Sequence, residues 1–142
     1  MSYQRIPGAR LATRYAYAPT VRMEAEPEGP TRVIMEYTSS SIQESQPPLV
    51  TRLTFSSVLE FGWSEFDRGV RLGDREVAFS LIEITDSPLI AEINRRVSGR
   101  GWDERLLHHY RIAFDDHGCY EVVCAEVAIE EPQRYGPFQR SR

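Results

Sequence analysis

Hydrophobic residues recur at every second position in one run of this chain after another. Val33, Met35 and Tyr37 alternate with Ile34, Glu36 and Thr38. In the next run Leu49, Thr51, Leu53 and Phe55 share a face, and Leu59, Phe61 and Trp63 do so in the run after that. A period of two fits the pleat of a strand and not the 3.6-residue turn of a helix. The stretch VAFSLIEIT (77–85) is apolar on both faces, as a central or helix-covered strand would be.

The period changes once. Ser87 is placed to cap a helix and Pro88 to occupy its first turn, where a missing N–H costs nothing. Leu89, Ile90, Ile93 and Val97 then form a stripe at helical spacing, with Glu92 and Arg96 at i,i+4 on the wet side. Gly99 and Gly101 end the helix, expected over about 88–98. The expected fold is α+β: a mostly antiparallel curved sheet or open barrel of about six strands, packed by one clear helix.

The 142 residues read as a single domain, 1–142. Residues 1–30 and 130–142 carry AEPEGP and EEPQRYGPFQRSR, proline-rich and polar, and are expected to be loosely ordered. A net charge of -4 argues against nucleic acid as the main partner. No apolar run is long enough to span a bilayer, and MSYQRIPGAR lacks the apolar core of a signal peptide. A cytoplasmic protein is therefore expected. All 17 basic residues are arginine, so lysine nucleophiles and Schiff bases are excluded.

The reactive residue types gather in 106–131, LLHHYRIAFDDHGCYEVVCAEVAIEE, which holds all three histidines and both cysteines. The pattern is that of a hairpin. A three-residue loop at Asp116-His117-Gly118 would pair Phe114 with Tyr120, Ile112 with Val122 and Tyr110 with Cys124. Adjacent residues on a strand point apart, so His108 and His109 cannot share an ion, and Cys119 and Cys124 face opposite ways. No metal-ligand spacing appears, and neither a metal nor a cofactor is expected. Cys124 reads as a buried thiol, Cys119 as the more exposed one beside the turn. No nucleophile elbow, phosphate loop or dinucleotide fingerprint is present.

Asp86-Ser87-Pro88 opening a helix, followed by a hairpin of the form HYxxxFDDxGxYEV (109–122), resembles small uncharacterised bacterial proteins over about residues 84–126. The resemblance implies a small β-rich bacterial domain and transfers no catalytic residue. The expected function is a non-catalytic module that binds another protein, as an inhibitor or immunity-type factor does. A sheet edge and the acidic region 60–76 would make the contact. The alternative is a small-ligand-binding barrel or cofactor-independent enzyme. Its aromatic pocket would be lined by Phe55, Phe61, Trp63 and Phe79, with His109 as the polar handle.

Overall fold

The structure, a computed structural model, describes residues 2–10, 19–25, 31–39, 49–64, 80–96, 106–114 and 118–134. These hold ten strands: β1 (Tyr3–Arg10), β2 (Thr20–Glu24), β3 (Arg32–Thr38), β4 (Leu49–Ser56), β5 (Glu60–Ser64), β6 (Ser80–Ile84), β7 (His108–Phe114), β8 (Gly118–Cys124), β9 (Glu126–Ile129) and β10 (Gln133–Arg134). They form two five-stranded sheets. The first runs β1-β6-β7-β8-β5; in the second, β10-β4-β3-β2, strand β9 also pairs with β4. Every pairing is antiparallel. Neither sheet closes into a barrel.

The alternating residues meet where the sheets face each other. Val33, Met35, Tyr37, Leu53 and Phe55 come from the second sheet, and Leu81, Tyr110, Ile112, Val122 and Cys124 from the first. Burying one such side chain fully is worth about 1.5–3 kcal/mol, so this layer dominates the fold. The chain passes between the sheets three times, from β1 to β2, from β4 to β5 and from β8 to β9, and the last two passages form adjacent corners. One follows β4 at Ser57, which takes the left-handed φ of 55°. The other is the β8–β9 bend, where the Ala125 N–H donates to the Ser56 carbonyl at 3.0 Å.

The helix Pro88–Arg96 lies on the outer face of the first sheet. Its Ile93 packs with Leu107 and Val123, flanked by Leu89, Ile90 and Leu59. The Ser87 cap is formed: the Ile90 N–H donates to Ser87 Oγ at 3.2 Å. Arg96, however, reaches across to Glu60 on β5, with Nη2 at 2.9 Å from Oε1, instead of pairing along the helix with Glu92. No helix among the described residues is long and apolar enough to cross a membrane.

Strand number and hairpin register differ from the sequence expectation. The first 30 residues supply two strands at sheet edges, β1 and β2. Among the described side chains, Ile6 and Val21 from these strands pack against the core, too few to produce a visible alternation. Pro7 is tolerated in β1 because an edge strand has ladder bonds on one side only. In the hairpin Phe114 pairs with Gly118, Ile112 with Tyr120, Tyr110 with Val122 and His108 with Cys124. This is a slip of two residues from the register expected. An even slip keeps every side chain on its face, so hydrophobic alternation cannot detect it. Gly118 has φ +87°, and a Cβ there would collide with the Trp63 ring, which leaves glycine as the residue that fits.

Candidate functional site

The hairpin sends its two adjacent histidines to opposite faces of the first sheet, and each enters a polar network. His109 faces outward, beneath the helix, and is 4% exposed. Its Nδ1 lies 2.6 Å from Ser87 Oγ. Its Nε2 lies 3.4 Å from Glu121 Oε1, close but not aligned for a hydrogen bond. Arg111 is also buried, and its Nε donates to the same Glu121 oxygen at 2.8 Å, with Nη2 closing on that oxygen too. The His109 imidazole and the Arg111 guanidinium hold the Glu121 carboxyl down to about 2, against the upward pull of burial. Of the two, Arg111 makes the aligned bonds.

The ladder explains this assembly. Arg111 and Glu121 are direct partners across β7 and β8, and His109 is the next outward-facing residue along β7. The helix cap brings Ser87 over that row. In order, the network runs hydroxyl, imidazole, carboxylate and guanidinium.

His108 faces the other way. Its Nδ1 lies 2.7 Å from Glu83 Oε2, and Gln4 Nε2 donates to the other Glu83 oxygen at 3.1 Å. The ring stacks on Tyr110, with centroids 5.7 Å apart. Directly across the ladder is Cys124, fully buried, whose thiol donates to the Glu126 carbonyl at 3.4 Å. Burial, with Glu83 and Glu126 adding charge repulsion, pushes that thiol up to about 12. Burial first, then Glu83 and Cys124, raises the Tyr110 phenol as well. Carboxylate, imidazole and thiol therefore meet here, but the thiol stays protonated at neutral pH and is a poor nucleophile.

Of the aromatic residues expected to line a pocket, Phe55 lies in the core between the sheets and Phe61 packs against that same core. Phe55 is buried in the second sheet against Tyr110, their centroids 5.9 Å apart. Phe61 packs on Tyr120 from β5. Trp63 is 55% exposed at that strand's end. His109 is on the opposite face of the sheet from Phe61 and Trp63, and Phe79 lies outside the described residues. A shallow pocket lined by Val50, Arg52, Glu130, Glu131 and Gln133 has room for water, not for an organic ligand.

Cys119, expected to be the more exposed thiol, is 2% exposed, because β5 pairs its Ser64 with it. Both cysteines are free. No group of three metal-ligating side chains occurs among the described residues. Asp115, Asp116, His117 and most of the acidic region 60–76 lie outside them.

Sequence reading missed the partners of both histidines. Ser87 was legible only as a cap, and its second bond depends on where the helix lies. The His108–Cys124 juxtaposition was hidden by the two-residue slip.

No family model matches the chain, and no curated protein or solved structure matches it.

Proposed function

We propose that the protein binds another protein, as an inhibitor or immunity-type factor of a bacterial cytoplasm, and that a sheet edge makes the contact. One observation carries this reading. The large apolar side chains that stay exposed on described strands are Tyr3, Met23 and Trp63, and they lie on β1, β2 and β5, all terminal strands of the two sheets. Edge strands offer unpaired backbone groups to an added strand, and exposed apolar side chains beside them supply the affinity. Aromatic residues are favoured at the centres of such contacts.

The test is capture from the native host. The immobilised chain should retain one partner in stoichiometric amount, and Trp63→Lys or Tyr3→Lys should release it. No stoichiometric partner, or capture indifferent to both changes, would overturn the reading.

A second reading, a small cofactor-independent enzyme, is favoured by the Ser87–His109–Glu121 chain, which places a hydroxyl, a base and a carboxylate in sequence.

A further inference from the structure

We propose that Ser87 is a nucleophile whose proton passes to His109, making this an esterase-type centre for short, uncharged carboxylic esters. The proposal rests on the second reading above and is independent of edge binding. The first support is order. Ser87 Oγ is 2.6 Å from His109 Nδ1, and Glu121 Oε1 is 3.4 Å from the other ring nitrogen. These are the roles of a nucleophile, its general base and the carboxylate that steadies the base. The serine uses Nδ1 and the carboxylate Nε2.

The second support is an unsatisfied atom. His109 Nε2 is buried and has no hydrogen bond. A network that only pinned the helix would leave that nitrogen uncompensated. A proton arriving at Nδ1 gives the ring a positive charge, which strengthens the attraction that Glu121 already has for the Nε2 side of the ring. The third support is position. Ser87 is only partly buried and opens a nine-residue helix. The Ile90 N–H donates to its oxygen at 3.2 Å, and this cap bond holds the hydroxyl in place beside His109.

The surroundings select the substrate. Leu89 and Ile90 follow the serine and are partly exposed, which suits a short apolar acyl group. Asp86, exposed beside it, disfavours anions. Ser87 Oγ bonds to the ester carbonyl carbon as its proton moves to His109 Nδ1. The carbon–oxygen bond to the alcohol then breaks, and that proton leaves with the alcohol. Water attacks the acyl-serine, His109 takes and returns a proton in the same way, and a carboxylic acid departs with Ser87 restored. Glu121 acts as a positioning residue throughout.

The test uses the full chain and a fluorophosphonate probe, which forms an Oγ–P bond and expels fluoride. Mass spectrometry should find one adduct per chain, mapped to Ser87, formed at least tenfold faster than in urea-unfolded chain. Ser87→Asn keeps the helix cap but lacks the nucleophile; it should take no adduct and should lose hydrolysis of p-nitrophenyl acetate. Ser87 labelling no faster than in the unfolded chain overturns the proposal. Absence of the adduct with hydrolysis intact in Ser87→Asn removes the serine but keeps an enzyme. Absence of both removes the enzyme reading as well.

Discussion

The outer network around His109 and the inner one around His108 start one residue apart and share an ingredient, an imidazole beside a glutamate. Outside, His109 and Arg111 are both buried and converge on Glu121, and Ser87 joins from the helix. Inside, His108 is 36% exposed, and its partner Glu83 is held by Gln4 from the β1 edge strand. Buried polar groups depend on each other, whereas exposed ones have water as an alternative partner. The two networks should therefore respond very differently to loss of one member.

The largest effect is expected from Arg111→Ala. It removes a buried guanidinium and leaves Glu121 without its aligned donors. Breaking such a pair costs about 3 kcal/mol, read as a lower urea midpoint at unchanged slope. A loss under 1 kcal/mol would show that the outer network is as loose as the inner one.

Ser87→Ala should cost about 2 kcal/mol, roughly half from the lost cap and half from the buried His109 nitrogen left without a partner. Ser87→Asn should recover the cap part. If the two variants were equally stable, the serine would serve the histidine alone.

Acid supplies the third comparison. The folded Glu121 carboxyl lies at about 2, below its ordinary 4.5. A depressed carboxyl stabilises the fold fully above its unfolded value and loses that contribution as pH falls toward the folded one. Wild-type melting temperature should therefore drop more steeply between about pH 4.5 and 2 than that of Glu121→Gln. Parallel curves would remove Glu121 from the account.

The smallest effect belongs to His108→Asn, expected below about 1 kcal/mol because the His108 ring keeps 36% of its surface in water, against 5% for His109.

The faces of these residues were legible in the sequence, because alternation through Tyr110, Ile112, Val122 and Cys124 places His109, Arg111 and Glu121 opposite them. The helix and its cap were legible for the same reason: Ser87-Pro88 and the Leu89, Ile90, Ile93 stripe are local signals. What was not legible is non-local. A two-residue slip preserves every face, so the partners across the ladder were misplaced. Edge strands β1 and β2 bury too little to show a period. Where the helix sits over the sheet, and so which histidine its cap touches, follows from the packing of Ile93 on Val123 and Leu107. Phe55 and Phe61 were read as a possible pocket. The structure gives them ring partners in Tyr110 and Tyr120, from the same core.

The contrast between the two histidines comes down to where each ring carries its proton. His108 has a carboxylate at Nδ1, so the proton belongs there. His109 has the Ser87 hydroxyl at Nδ1 and Glu121 toward Nε2, so its proton belongs on Nε2. Long-range nitrogen–proton NMR of the imidazoles at neutral pH reads this directly. Two adjacent histidines in opposite tautomers, with the His109 pattern altered in Ser87→Asn and the His108 pattern unchanged, is the expected result. The same tautomer at both positions, or a His109 spectrum indifferent to Ser87, would contradict it.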